Sequence, residues 1–439
     1  MMFSPFDDPL TARLYGDPEV AALFATGAAL RAMLRVEGAL AAAEGALGII
    51  PAESARAIAG AAETVTLDPE AIGEGMAEAG VPVPALVAGF RAALPKEHGA
   101  WLHWGATSQD IVDTGLALRL RDLCDLVDAR LATLIAAFAD QAARHRGTVM
   151  AARTRNQIAT PTTLGAKIAV WAAPLLTHRE RLAELRPRLL RVSLAGASGT
   201  NAALAGRGPE VMRALAAGLG LEPSEIPWHA DRAAMAEFGA FLALVSGSLG
   251  KIGTDLILLG QSEVGEVRAG AGGGSSTMPQ KSNPVSAEAL VTLARVAGSQ
   301  VGALYAAMPG AQERDGAAWP LEWFALPALA AAAGAGLRIA ADLATSLRAD
   351  PARMARALMA DGGLMMAEAA TFALAARMPR PEAAALVKAA VARVRDQGGT
   401  LAEALPATPG IDWPAVLDPA TQTGDAGAIV DAFLARARG

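Results

Sequence analysis

Apolar residues in this chain recur at steps of three and four over three long stretches, a spacing that puts them on one face of a helix. From Asp110 to Arg144 these positions are Leu116, Leu120, Leu123, Val127, Leu131, Leu134 and Phe138. After Asp231, which reads as an N-cap, Phe238, Leu242, Val245, Leu249, Ile252, Leu256 and Leu259 follow at alternating steps of four and three. Leu290, Leu293, Ala297, Val301, Leu304 and Met308 continue the theme. Such spacing is the seam of a helical bundle. The middle helix would run about 30 residues, or roughly 45 Å at the usual rise. It carries Gly239, Gly247, Gly250, Gly253 and Gly260, each weakening a helix unless another backbone comes close. One chain cannot cover every apolar face of such helices, so a homo-oligomer is expected.

The flanking regions differ. Residues 1–108 read as a mixed helical domain, with a helix from about Glu19 to Leu47, a break at "GIIP" and prolines at 82, 84 and 95. Residues 109–349 hold the long-helix bundle. Residues 350–439 read as a small C-terminal domain of shorter helices separated by "DGG", "MPRP", "DQGG" and "ATPGIDWP".

Composition sharpens the fold class to all-α: 53% of residues are hydrophobic and only 4% aromatic. Much of that hydrophobic share is alanine, the best helix former, and aromatic residues favour strands. The formal net charge of −6, with no basic run, excludes a nucleic-acid footprint. An anionic ligand would then need local counter-charges. The single cysteine, Cys124, sits in a helical stretch and reads as a buried, inert thiol. "MMFSPFDDPLTARLYG" has neither the basic nor the apolar region of a secretory signal. The most apolar stretch, "ALPALAAAAGAGLRIA", contains Pro327 and reaches Arg338 too soon to span a bilayer. A soluble, cytoplasmic protein with no membrane partner is expected.

Four polar stretches lie at or near the ends of these helices: "HWGATSQD" (103–110), "ARTRNQIATPTTLG" (152–165), "LAGASGTNAAL" (194–204) and "GGGSSTMPQKSNP" (272–284). Ser108 or Asp110 also suits a plain helix cap. The last stretch is too specific for a linker, which has no use for Met278, Lys281 or Asn283.

Together these loops resemble the conserved regions of the fumarase/aspartase superfamily, which includes adenylosuccinate and argininosuccinate lyases. Gly274, Ser275, Ser276, Met278, Pro279, Lys281, Asn283 and Pro284 fit its GSSxMPxKxNP signature. "HWGATSQDIVDT" is similar to its first region and "RTRNQIATPTTLG" to its second, and the likeness spans nearly the whole chain. "AWLHWGATSQDIVDT" and "QERDGAAWPLEWFALP" look most like its cycloisomerase branch, the intramolecular lyases that act on a small tricarboxylate. The resemblance implies a three-domain, all-α fold whose long helices form a multi-helix core in a homotetramer, with active sites shared between subunits. It implies proton transfer next to a carboxylate through an aci-carboxylate carbanion, with no cofactor and no metal.

In that chemistry Ser275 is the implied base and acid. Successive backbone N–H groups of the glycine-rich loop, together with Lys281, would stabilise its anion, and Asn283 would donate to a carboxylate. Most superfamily members carry a histidine in the second region to protonate a leaving group, but Arg155 stands there in this chain. An arginine is a poor proton donor and a good fork for a carboxylate. This favours a reaction whose leaving group is the substrate's own carboxylate, over an adenylosuccinate- or argininosuccinate-type lyase. A non-catalytic helical scaffold is the alternative of another class. Arg153, Arg155, Lys281 and Arg314 are the local positive charges, with ordinary structural arginines the other reading of Arg153 and Arg314. His103 falls where adenylosuccinate-type enzymes hold an active-site histidine, or is a satisfied structural one. Thr107, Ser108, Gln157, Thr200, Ser276 and Met278 complete the expected substrate-binding set.

Overall fold

The computed structural model describes residues 4–274 and 277–438. It is all-α apart from short strands, which pair two by two. Early in the chain lie helices α1 (Pro18–Phe24), α2 (Thr26–Ala46) and α3 (Ala52–Thr64), and after further short helices comes the long α4 (Ser108–Arg144). A hairpin, β1 (Val149–Thr154) and β2 (Gln157–Thr163), leads into α5 (Leu164–Leu189). After α6 (Gly208–Leu219) come the long helices α7 (Ala233–Leu259), α8 (Val285–Ala307) and α9 (Leu321–Ser346), and then shorter helices that include α10 (Pro351–Leu358).

The three periodic stretches form α4, α7 and α8, and the seven seam residues named on each of α4 and α7 are buried. Asp231 accepts from Ala233 N at 3.1 Å, just outside the start of α7. The single helix expected from about Glu19 to Leu47 is two helices, because Ala25 adopts an extended conformation (φ −62°, ψ 147°). Two long helices escaped the periodicity. The second half of α5 is crowded with charge, and α9 is apolar on nearly every face and contains Pro327. By length and composition α7 and α9 are apolar enough to cross a membrane. Half of the apolar window of α7 and about two-thirds of that of α9 are buried within the molecule, as in core helices.

The chain forms two compact units. The first comprises Met1–Arg130, His178–Gly247 and Thr292–Arg338; the second comprises Leu131–Thr177, Ser248–Val291 and Ile339–Gly439. In the first, α2 and α3 pack so closely that a Cβ on Gly38 would lie 2.7 Å from that of Ala62. Asp17 caps α1 through Val20 N at 3.0 Å and grips Arg130 with both oxygens. Cys124 is fully buried, and burial pushes its thiol up to about 12. In the second unit the β1–β2 hairpin packs against α10, and Ala151 joins a small core with Leu358, Met366, Leu374 and Val387. A Cβ on Gly253 would meet Ala287 O at 2.6 Å, so α7 and α8 touch backbone to backbone there.

Candidate active site

In the first unit the polar loops converge on Asp110, in the first turn of α4 and buried. Its Oδ2 accepts from Thr107 N at 2.9 Å and from Gly196 N at 3.0 Å. Its Oδ1 accepts from Ala195 N at 2.9 Å and Ser193 Oγ at 3.3 Å, and faces His229 Nε2 at 2.7 Å. One turn on, Thr114 Oγ1 donates to Ser193 O and accepts from Ser193 N. One carboxylate therefore caps a helix and clamps the 103–108 stretch to the 193–196 stretch. Gly196 has a φ of 70°, and a Cβ there would sit 3.1 Å from Gly105 O, so this approach requires glycine.

Arg314 reaches the same loop, Nη2 donating to Ala197 O at 2.9 Å while Nε is buried without a partner among the described residues. Its own loop is set by Asp315, which accepts from the backbone N–H groups of Ala311, Ala317 and Ala318. These bonds hold the Asp315 carboxyl below the usual range. Thr200 is exposed nearby, 3.4 Å from Ser198 Oγ, and Ser108 is the half-buried first residue of α4. Thus His103, Thr107, Ser108, Thr200 and Arg314 belong to one set of tied loops.

His103 takes a positive φ of 64°, uncommon for a residue with a side chain. Its Nδ1 lies 2.6 Å from Glu37 Oε1, and Glu37 is fully buried on α2. Burial works against the imidazolium, but the Glu37 hydrogen bond and the charges of Glu37 and Asp110 outweigh it and raise the histidine above its ordinary value. Beneath the loops, Arg232 bridges Asp113 (2.7 and 3.1 Å) and Glu322 (2.7 and 2.6 Å), and Trp319 Nε1 donates to Asp113 at 3.2 Å. Burial penalises that guanidinium, yet the two carboxylates raise its proton affinity further. The cluster anchors the starts of α4, α7 and α9 in this unit.

The second unit holds the other expected residues. The stretch 152–165, read as a loop, is largely hairpin. Its β-branched residues suit strands, and Pro161 is tolerated because a two-stranded ladder is all edge. Arg155 and Asn156 form the two-residue turn, with φ of 53° and 63° as a primed hairpin turn requires. A register shift between Ala151 and Arg153 re-aims the strand. Arg153 grips the fully buried Glu266 with both Nη atoms, at 2.8 and 2.7 Å. Its charge is thereby committed within the protein, as in the structural reading of this arginine. Arg155 and Gln157 are exposed at the hairpin end.

In the signature stretch Gly273 and Gly274 pair with Asn283 and Ser282, and Lys281 N donates to Met278 O at 3.0 Å. Met278 and Lys281 are exposed and Asn283 is half-buried. Among the described residues, Arg155 and Lys281 make no side-chain hydrogen bond or ion pair. Ser275 and Ser276 lie outside the described residues.

Sequence reasoning offered Asp110 only the alternative of a plain helix cap and passed over Glu37, Glu44, Arg232 and Glu266. A signal for two of them is present: in "LRVEGALAAAEGAL" Glu37 and Glu44 fall seven residues apart on the apolar face of a helix.

Residues 17–298 match the family model described as a lyase. The chain is 43% identical over 427 residues to a 3-carboxy-cis,cis-muconate cycloisomerase of Pseudomonas aeruginosa, covering 94% of this chain and 93% of that protein. It is 36% identical over 450 residues to a nitrosuccinate lyase of Streptomyces davaonensis, covering 97% and 94%. Its fold superposes on the crystal structure of 3-carboxy-cis,cis-muconate lactonizing enzyme from Pseudomonas putida with a TM-score of 0.93 and 38% identity, over 98% and 99% of the two chains. Family model, full-length identity and shared fold agree, and the chain belongs to the lyase family within the fumarase/aspartase superfamily.

Proposed function

We propose that this enzyme is a cycloisomerase interconverting 3-carboxy-cis,cis-muconate and 4-carboxymuconolactone. The observation that carries the reading is Arg155: a guanidinium replaces the histidine that a lyase expelling an amine would use, and it stands free at a hairpin tip among the described residues. A substrate carboxylate leaves and returns as a stable anion, so it needs a cation to orient it rather than a proton donor. Near-full-length likeness to named cycloisomerases supports the same choice.

In the lactone-forming direction one carboxylate oxygen adds to the conjugated alkene, forming the C–O bond and an aci-carboxylate. Ser275 then delivers its hydroxyl proton to the carbon beside that group and is reprotonated from solvent. In reverse the Ser275 alkoxide removes this proton and the ring C–O bond breaks. Lys281 and backbone N–H groups of the signature loop balance the developing charge, and Asn283, Thr107 and Thr200 donate to the carboxylates. Arg314, with its unpartnered Nε, serves a further carboxylate. Exposed apolar side chains on long helices, including Phe324, Val170, Leu244 and Tyr305, support burial of these faces in a homotetramer.

The test follows the ultraviolet absorbance of the conjugated diene with wild-type protein and Ser275→Ala. Loss with wild type alone is expected. No loss with correctly assembled wild type overturns the substrate, and equal loss with both proteins overturns the role of Ser275. The resemblance to nitrosuccinate lyase favours a second reading, an eliminating lyase, which release of fumarate from a substituted succinate would reveal.

A further inference from the structure

Glu37 has no part in the chemistry above, yet it is among the most sequestered charged groups in the protein. It sits on the apolar face of α2 with no exposed surface, and its Oε2 has no hydrogen-bond partner among the described residues. Burying a carboxylate in this way is costly unless its contacts compensate. Its one side-chain hydrogen bond among the described residues is the 2.6 Å bond to His103 Nδ1. His103 in turn is held at a positive φ, and its Nε2 has no partner among the described residues. Its side chain keeps 19% of its surface exposed, on the loop that Asp110 ties to Gly196 and so to the Arg314 contact.

We propose that Glu37 is a positioning residue, which fixes the His103 ring with Nδ1–H engaged and presents Nε2–H to a carboxylate of the substrate. A carboxylate against one ring nitrogen sets the tautomer and favours the doubly protonated ring. The outward N–H then becomes a charge-assisted donor to an anion, alongside the arginines assigned to the other carboxylates. The charged groups facing His103 are Glu37 on α2, Asp110 on α4 and Arg91, which opposes the imidazolium. Glu44, buried seven residues beyond Glu37, lies behind the pair and bears on Glu37. The inference rests on the tricarboxylate reading only for the identity of the bound group; the Glu37–His103 linkage stands apart from it.

The experiment has two arms. In the first, the assembled protein is treated with diethyl pyrocarbonate between pH 5 and 9, and acylation of His103 is read by peptide mass. The reagent attacks the neutral ring, so the pH of half-maximal rate reports its protonation. With Glu37→Gln that midpoint falls by at least about one pH unit, since burial then acts on the ring with only the charge of Asp110 to oppose it. An unchanged midpoint overturns the positioning role, whether or not the substrate is correct.

The second arm measures kcat and KM with 3-carboxy-cis,cis-muconate across the same pH range. KM at pH 7 rises about tenfold in Glu37→Gln, the size of one lost charge-assisted contact, and its high-pH limb moves down with the acylation midpoint. A shifted midpoint with an unshifted KM profile overturns the presentation of Nε2–H to substrate. Should Glu37→Gln fail to assemble, His103→Gln carries this arm: a raised KM without the pH limb is expected, and wild-type KM overturns the proposal.

Discussion

Glu44 gives the clearest link between a buried group and a solution measurement. It has no exposed surface, and both of its carboxyl oxygens lack a hydrogen-bond partner among the described residues. Burial, reinforced by the charge of Glu37, pushes its carboxyl up to about 8 from 4.5. Between those two pH values the folded protein keeps a proton that the unfolded chain has released. Stability is therefore fully present below about pH 4.5, falls as pH rises, and levels off above about 8. At about 1.36 kcal/mol for each pH unit the whole window is worth about 5 kcal/mol. Glu44→Gln keeps the shape of the protonated acid and removes its titration. Urea unfolding at a fixed protomer concentration is the assay, because an oligomer's stability depends on concentration. At pH 5 the two proteins should unfold at nearly the same urea concentration. At pH 8.5 the variant should be more stable by about 2–5 kcal/mol, the lower figure allowing for water that reaches the ionised group. If wild type and variant respond identically to pH, the reasoning is wrong.

Asp110→Asn replaces one acceptor oxygen with an amide that faces N–H donors, so at least two charge-assisted bonds are lost. A cost of about 3–5 kcal/mol is expected, with faster hydrogen exchange at Ala195 and Gly196; exchange unchanged there would contradict the clamp. Arg232→Met leaves Asp113 and Glu322 buried together without their cation. It should cost about 3–5 kcal/mol, less at acidic pH where Glu322, its carboxyl already pushed up by burial, takes up a proton, as melts at pH 5 and 8 would show. Gly253→Ala gains about 1 kcal/mol of helix propensity but drives a methyl to 2.6 Å from Ala287 O. A lowered melting temperature is expected, and a raised one would argue against close contact of α7 with α8.

The long amphipathic helices were legible because period and burial coincide: each named seam residue of α4 and α7 is buried. Helix α9 was not, since a helix apolar on nearly every face has no period to read. The β1–β2 hairpin was hidden because Arg155–Asn156 is not the Asn-Gly type of turn that marks a hairpin. At the site, motif likeness singled out residues that carry polar or charged tips, and it was blind to what holds them. Asp110, Glu37 and Glu266 are anchors whose partners lie between about 65 and 115 residues away along the chain, at His103, Ala195 and Arg153, and no local pattern encodes such pairings.

The hairpin tip carries a consequence for anyone who selects this protein for endurance. Asn156 is at home at a φ of 63°, but Arg155 at 53° holds a long side chain in a conformation that costs an ordinary residue about 1 kcal/mol. Turn chemistry alone would place asparagine or glycine there. A screen that rewards heat resistance would therefore drift toward a shorter residue at 155 and discard the guanidinium in passing. On the role proposed for Arg155, folding and turnover pull this one position in opposite directions.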